Sequence, residues 1–482
     1  MNLKVISRNV GIALLVSSLF MLLSVFVSLG NGHDSGLTPL LISFALTFTV
    51  GVFPFVFVRN TERITLKDGY VIIFLSWLLS FIFGMLPYAM WGGPFTLVNA
   101  WFESVSGFTT TGATILEDIE SLPRSLLFWR ASTHFIGGLG VVVFLLLIIP
   151  NSRPVRLRLT HMELSTLSRD DYRSRANKTV AIFAYVYLGL FVLSFLTYLL
   201  AGMSSFDAVC HAFSVSATGG FSTRNHSIGG FHSDLISSIT IVFMFLSSVH
   251  FGLIFMALVN RSLRPLNNPI LKFYVLSLSV AAVFTSVTLK FDGVDTSWAR
   301  AFLDGTFHVV SYATTTGFAI SDNSTWPLLP CFILLIGSLI CGCAGSTSGG
   351  LKADRVLVMV KAIRMQIVKT LYPSTIFEVR IGKRVLHDEE IYPQVLYICL
   401  FFFLIGLSSI LGVLLGDPNQ HALLGSIASL ANVGPSLGSI GSMGNYNLEP
   451  VSLKLIFSFD MFLDRVEIYP VFAFFAGLFR RR

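Results

Sequence analysis

Long apolar stretches recur along the chain, and their lengths predict a helical membrane protein. About 20 consecutive apolar residues are enough for one α-helix to cross a bilayer. The first stretch follows Lys4 and Arg8, is longer than a signal-peptide core and precedes no clear small-residue cleavage site, so it predicts a retained helix. The stretches of spanning length are Val10–Leu29, Leu37–Val58, Gly69–Met90, Ser125–Pro150, Thr179–Leu200, Leu235–Val259, Ile270–Phe291, Pro327–Gly350, Ile391–Leu415 and Val451–Leu478.

Four shorter amphipathic stretches lie between pairs of these segments. They are too short to span a bilayer and too apolar for free loops, which is typical of re-entrant half-helices. The four predicted half-helices are Leu97–Phe108, Ser205–Ser216, Trp298–Ala313 and Gln420–Ala431.

Each half-helix is followed by a short string with a central glycine. Glycine inside an apolar repeat indicates unusual backbone dihedrals or a close approach of two backbones. Four such strings in one chain suggest a ring of backbone carbonyls, as in a potassium filter, although the glycines would also suit close helix packing. The predicted filter residues are Thr110, Thr111, Gly112, Ala217, Thr218, Gly219, Thr315, Thr316, Gly317, Asn432, Val433 and Gly434.

The repeat of helix, half-helix, string and helix predicts an all-α polytopic membrane protein with a pseudo-four-fold pore. Residues 1–68 form an N-terminal helix pair, and residues 69–150 form the first pore repeat. A cytoplasmic loop and the second repeat occupy 151–260. The third repeat is 261–370, and a further cytoplasmic loop with the fourth repeat is 371–482.

Composition and charge agree with a membrane protein and assign an orientation. The chain is 54% hydrophobic and 12% charged, whereas soluble domains carry about 25% charged residues. The net charge of +7 does not require a nucleic-acid partner, because Lys and Arg concentrate in the loops of one membrane face. That bias predicts cytoplasmic termini and places the strings toward the outside. The half-helices then point their negative C-terminal ends inward, which favours a cation.

One predicted span contains a segment that should not stay helical. Residues 341–350 read Cys-Gly-Cys-Ala-Gly-Ser-Thr-Ser-Gly-Gly, and such a glycine-rich run is a poor helix former. Non-helical backbone at membrane depth is tolerated where it is buried or lines water, so a gate is predicted here. A passive kink and a phosphate-binding loop are alternatives, although the Gly-x-x-x-x-Gly-Lys order is missing. The gate candidates are Gly342, Ala344, Gly345, Ser346, Thr347, Ser348, Gly349 and Gly350.

The last predicted span carries charged residues, which are costly there and suggest function. They are Asp460, Asp464, Arg465 and Glu467. One interpretation is a functional cluster, in which the nearby acids offset part of the positive charge of Arg465. A structural ion network between helices is the alternative.

Cysteine and histidine offer little chemistry of their own. The five cysteines lie in or beside apolar segments, which argues against a disulfide framework. Cys341 and Cys343 are interpreted as small buried residues rather than a metal pair. The histidines His134, His211, His250 and His308 lack ligand spacing and are predicted to be buried and hydrogen-bonded. No nucleophile–base constellation points to an enzyme.

Four motifs together resemble the TrkH family of the Trk/Ktr/HKT superfamily, over essentially the whole chain. They lie at Phe102–Thr114, Gly219–Thr223, Ala313–Phe318 and Cys343–Lys352. The resemblance implies a potassium-translocating subunit of the bacterial inner membrane, with K⁺ as the transported ion and 341–350 as the intramembrane gate. It also implies that Arg465 points into the pore as part of that gate. It also implies a homodimer with one pore per subunit.

The resemblance further implies a cytoplasmic TrkA-type regulatory ring that binds NADH and ATP or ADP. The basic stretch Lys361–Arg384 is either a solvated face or a docking surface for that ring. Whether transport is channel-like or is symport coupled to protons or sodium stays open.

Overall fold

The computed structural model describes residues 2–58, 65–148, 176–294, 297–374, 378–382, 384–416 and 421–479. Within these ranges the regular secondary structure is α-helical, apart from four short 3₁₀ turns and one antiparallel hairpin. The hairpin pairs β1 (Val379–Ile381) with β2 (Arg384–Leu386). The 3₁₀ turns are Ser227–Phe231, Arg264–Leu266, Asn323–Thr325 and Gly438–Ile440. The predicted all-α polytopic architecture is confirmed.

The N-terminal pair consists of α1 (Leu3–Gly30) and α2 (Leu37–Phe57), which pack along each other. Helix α1 also contacts α3 and α6 of the first repeat. Asp34 in the connecting loop accepts hydrogen bonds from the hydroxyls of Ser28 (2.6 Å) and Ser125 (2.7 Å). This carboxylate therefore ties the pair to the start of α6.

Four repeats follow, each with a first helix, a pore helix and a second helix. The first repeat has α3 (Leu66–Gly84), α4 (Leu86–Trp91), α5 (Leu97–Thr109) and α6 (Arg124–Ile148). The second has α7 (Ala176–Leu200), α8 (Ser205–Ser216), α9 (Asp234–Ser248) and α10 (Phe251–Val259). The third has α11 (Pro269–Phe291), α12 (Trp298–Ala313), α13 (Leu328–Leu339) and α14 (Ala353–Leu371). The fourth has α15 (Asp388–Leu414), α16 (His421–Leu430), α17 (Val451–Arg465) and α18 (Ile468–Phe479).

The pore helices α5, α8, α12 and α16 lie close to the bounds predicted for the half-helices. Gln420, the predicted start of the fourth, lies outside the described residues. The first three pore helices have the same type of N-cap. The hydroxyls of Thr96, Ser204 and Ser297 each accept a hydrogen bond from the backbone N–H three residues later. A single hydroxyl therefore fixes where each of these half-helices begins.

Spanning length is reached by six helices of the described residues, and by a seventh if α9 and α10 count as one span. Those two helices are bent by 100°. The continuous helix predicted for Leu235–Val259 is therefore wrong, because the His250 imidazole accepts the N–H of Gly252 (3.0 Å) and starts a new helix.

The predicted span Val451–Leu478 is also broken. Helix α17 ends at Arg465, and α18 starts at Ile468. Glu467 between them has a φ of 65°, in the left-handed region, and its carboxylate is paired with Arg355. The break predicted in the third repeat is confirmed, since α13 ends at Leu339 and the chain runs without helix to Ala353.

Candidate functional site: a closed ring of four strings above an intramembrane loop

Every pore helix ends in the same backbone turn. One residue adopts positive φ, the next returns to negative φ, and the third is a glycine with positive φ. The pairs are Thr110 (60°) and Gly112 (82°), Thr218 (53°) and Gly220 (85°), Thr315 (58°) and Gly317 (76°), and Asn432 (59°) and Gly434 (85°). The middle residue donates its N–H to a carbonyl five residues back, as Thr111 to Ser106, Gly219 to Ser214, Thr316 to Ser311 and Val433 to Ala428.

This pattern corrects the register of the second string. The predicted triplet Ala217, Thr218 and Gly219 starts one residue too early. Ala217 caps the C-terminus of α8, Thr218 takes the position of Thr110, and Gly220 takes that of Gly112. The string contains two adjacent glycines, and only the backbone dihedrals show which of them occupies the left-handed position.

The four strings form a closed ring. A Cβ added to Gly112 would lie 2.0 Å from the carbonyl oxygen of Gly219, and one on Gly220 would lie 2.1 Å from that of Thr316. The same contact joins Gly317 to Val433 (2.3 Å) and Gly434 to Thr111 (2.4 Å). Each glycine therefore packs on the middle carbonyl of the next string, and the fourth returns to the first. We call residues 110–112, 218–220, 315–317 and 432–434 the ring.

Side chains join the first and fourth strings. Asn432 donates its amide to the carbonyl of Thr109 (2.8 Å) and accepts from the hydroxyl of Thr111. The carbonyl of Gly434 accepts from the Tyr446 hydroxyl (2.8 Å), so a side chain outside the ring holds it. The four strings therefore share one backbone geometry but have different side-chain partners.

A buried ion pair that the sequence analysis did not single out supports the first two strings. The carboxylate of Glu103 on α5 accepts from the backbone N–H of Ile115 (3.0 Å) and the side chain of Arg130 on α6 (2.6 Å). Arg130 also donates to the carbonyl of Ser222 (3.1 Å), and its guanidinium carbon lies 3.5 Å from the centre of the Phe221 phenyl group. Because both charged side chains are at most 2% exposed, the pair is part of the packed scaffold.

Residues 340–352 between α13 and α14 form the intramembrane loop, which lies against the base of the ring. The N–H of Gly349 donates to the hydroxyl of Thr315 in the third string (2.9 Å). The hydroxyl of Thr347 lies 3.1 Å from the carbonyl of Ser216, at the end of pore helix α8. The ends of the loop are joined by a bond from the N–H of Cys341 to the carbonyl of Leu351 (2.9 Å).

Arg465 holds this loop to the first repeat. Its guanidinium donates to the carbonyl of Thr347 (3.0 Å) and to the carbonyl of Gly137 on α6 (2.6 Å). The predicted proximity of Arg465 and the loop is therefore present in the structure.

The three acids near Arg465 each contact a different group. Glu467 pairs with Arg355 on α14, and Asp460 accepts from the hydroxyl of Ser408 on α15 (2.7 Å). Asp464 accepts from the N–H of Gly350 in the intramembrane loop (2.8 Å). Only Asp464 of these acids has a hydrogen bond to the loop among the contacts described.

Two cavities flank the ring. The first, the string-side cavity, is lined by all four ring glycines and by residues of the connecting loops such as Glu117 and Tyr446. The second, the loop-side cavity, is lined by 346–350, Lys352, Asp464 and Arg465. The ring and the intramembrane loop thus lie in series between the two cavities.

The predicted buried histidines are all buried, and each has polar contacts. The imidazole of His134 lies 3.2 Å from the hydroxyl of Ser214, and that of His211 lies 2.9 Å from the hydroxyl of Ser222. His308 contacts the carbonyl of Ser321 (3.1 Å). In the ranges that the structure describes, no three His, Cys, Asp or Glu side chains are grouped to hold a metal ion. The five cysteines are free thiols.

Comparison with known proteins gives this architecture a family. The model of the TrkH family, described as "Cation transport protein", matches residues 40–480. The chain belongs to the TrkH family. This membership confirms the resemblance carried by the four sequence motifs.

Relatives and a solved structure match over the full length of both chains. The chain is 32% identical to "Trk system potassium uptake protein TrkH" of Halomonas elongata and 31% identical to the protein of that name from Escherichia coli K12, with 100% of each chain covered. It superimposes on the crystal structure of the potassium transporter TrkH from Vibrio parahaemolyticus with a TM-score of 0.89, at 28% identity and complete coverage of both chains.

Proposed function

We propose that this chain takes up potassium across the bacterial inner membrane through the ring. The observation that carries the proposal is the closure of the ring, in which each of four glycines packs on a carbonyl of the next string. The full-length relatives, named as potassium uptake proteins of Trk systems, support potassium as the transported ion.

Backbone carbonyls suit this task because they replace the water of a dehydrating ion without adding fixed charge. The middle carbonyls of Thr111, Gly219, Thr316 and Val433 are the first candidates as ligands, since they lie at the four contacts that close the ring. The carbonyls of Thr110, Thr218, Thr315 and Asn432 would supply the layer nearest the loop. The C-terminal ends of four pore helices add partial negative charge below.

The intramembrane loop is proposed as the gate. It lies against the base of the ring, and Arg465 holds its backbone to α6. A potassium ion leaving the ring would meet this loop before it reached the loop-side cavity. Opening would therefore require the loop to move away from Thr315 and from Ser216 at the end of α8.

The regulatory partner is proposed to act through α14, which starts directly where the intramembrane loop ends. This partner would be a cytoplasmic TrkA-type assembly that binds NADH and ATP or ADP. If it docked on α14 and the β1–β2 hairpin, its motion would reach the loop without an intermediate element. A homodimer with cytoplasmic termini completes the proposed assembly. The basic segment 151–175, which contributed to the orientation, lies outside the described residues.

Purified protein in liposomes tests the transport proposal. Uptake of potassium, rubidium and sodium is measured under the same gradient, and the reversal potential is recorded across a planar bilayer. Channel-like uptake predicts entry of potassium and rubidium ahead of sodium, with reversal at the potassium equilibrium potential. A reversal potential that shifts with the proton or sodium gradient would establish the symporter instead. Absence of selective potassium flux would refute the proposal.

A further inference from the structure

Three charged side chains hold four consecutive residues of the intramembrane loop by their backbone. Arg465 donates to the carbonyl of Thr347 (3.0 Å). The ammonium of Lys352 donates to the carbonyls of Ser348 and Gly349. The carboxylate of Asp464 accepts from the N–H of Gly350 (2.8 Å). Both cations bind carbonyls, and Asp464 is the side chain of this set that binds an N–H.

We infer that Asp464 is a positioning residue that keeps the intramembrane loop closed against the ring. The inference rests on the proposed function of the loop as a gate. The inference assigns the stability of the closed loop in part to one contact, the hydrogen bond from Gly350 to Asp464 on α17. The sequence alone shows a carboxylate in a membrane helix but not this contact.

Asp464 is the acceptor that the structure shows for the N–H of Gly350. A Cβ added to Gly349 would lie 2.6 Å from Oδ2 of Asp464, so the carboxylate is in close contact with the loop. Asp464 is 6% exposed, and water has little access to the bond. Hydrogen bonds to an ionised acceptor are shorter and stronger than neutral ones, and a buried N–H that loses its acceptor carries the full desolvation penalty. Removing the carboxylate therefore weakens the closed loop specifically.

Charge balance gives Asp464 a second effect. Lys352 and Arg465 place two positive charges beside the loop, and the carboxylate of Asp464 interacts electrostatically with both. Without the carboxylate, the repulsion between these two cations would be less compensated, which would also weaken the closed loop. The neutral variant Asp464→Asn thus separates hydrogen bonding, which it can retain, from charge, which it loses.

The same helix offers a matched control. Asp460 lies one turn before Asp464 on α17 and is 1% exposed, but its hydrogen bond goes to Ser408 on α15, away from the loop. Asp460→Asn changes a buried carboxyl group on the same helix without touching the gate.

The test measures rubidium uptake by the full-length protein in liposomes without any regulatory subunit. Asp464→Ala is expected to raise this basal uptake about tenfold, the scale of losing the acceptor of one buried N–H. Asp464→Asn is expected to raise it less, because its neutral amide oxygen still accepts a hydrogen bond, but a weaker one than the carboxylate does. Asp460→Asn is expected to leave it unchanged. Size-exclusion profiles and thermal unfolding accompany each variant.

Two results would overturn the inference. One is wild-type basal uptake in well-folded Asp464→Ala, and the other is an equal rise in Asp460→Asn. If Asp464→Ala does not fold, Asp464→Asn decides, since unchanged uptake there also contradicts the assigned role.

Removal of the loop itself separates this inference from the proposed function. If loop removal opens the pore and Asp464→Ala does not, the positioning role alone fails. If wild type and loop-deleted protein both conduct no potassium or rubidium, the transport proposal fails.

Discussion

At the residue scale, the ring depends on four positions that have room for no side chain. Gly112, Gly220, Gly317 and Gly434 combine positive φ with a neighbouring carbonyl less than 3 Å from where a Cβ would lie. A larger residue would destabilise the ring in two ways, because its backbone would be strained at positive φ and its Cβ would displace that carbonyl. Since the affected carbonyl belongs to the next string, one substitution disturbs two quarters of the ring.

Gly317→Ser is expected to lower the preference for potassium over sodium while the protein remains folded. The new Cβ would lie 2.3 Å from the carbonyl of Val433 and displace a proposed ligand. Gly189→Ser on α7 is the matched control, because no atom lies within 4 Å of its Cβ. The measurement is the ratio of potassium to sodium uptake in liposomes. An unchanged ratio in well-expressed Gly317→Ser would count against the filter assignment.

Two residue-scale features show where sequence reasoning stops. The glycine strings were identified from the sequence, but the register of the second was not, since Gly219 and Gly220 are chemically identical and differ only in φ. The pair of Glu103 and Arg130 was also missed. Both are charged residues within apolar segments, and the rule that directed attention to Arg465 would have marked them. Their pairing depends on how α5 and α6 pack, which the sequence pattern does not contain.

At the element scale, three of the four second helices are interrupted within the described residues, and the interruptions meet near the loop. The break in the third repeat was predictable, because its glycines and small polar residues make a poor helix. The breaks at His250 and Glu467 have only a single Gly or Pro nearby, Gly252 and Pro470, each in the first turn of the helix that follows. The N–H of Phe251 donates to the carbonyl of Gly345 (2.9 Å), and Glu467 pairs with Arg355, so tertiary partners accompany both breaks.

Deleting residues 346–349 is expected to raise basal rubidium uptake and to weaken its dependence on the regulatory subunit. The shortened segment can still connect α13 to α14, since Cys341 and Lys352 already form a β-bridge at the ends of the loop. The triple substitution of Ser346, Thr347 and Ser348 by alanine keeps the loop length and shows how much of the effect comes from their hydroxyls. Uptake is measured in liposomes with and without the regulator. Low and still regulated uptake after the deletion would make the segment a passive kink.

At the scale of the whole molecule, one chain supplies all four quarters of a ring, so the quarters need not be identical. Asn432 bonds to the first string, and Tyr446 donates to the carbonyl of Gly434. The other strings do not need matching side-chain contacts. The repeat architecture was predictable because apolar length, half-helix length and glycine position recur together. A ring of four strings was also predicted, but not which carbonyl each glycine contacts, since those contacts join segments that are distant in sequence.

The most direct test of the central claim is the position of a rubidium ion in crystals of the protein grown with rubidium in place of potassium. Anomalous scattering locates the ion without assuming a ligand set. We expect a peak on the axis of the ring, enclosed by the carbonyls of Thr111, Gly219, Thr316 and Val433. A ring without a peak, in crystals that show rubidium bound elsewhere in the membrane region, would contradict the assignment of these four strings as the path of the ion.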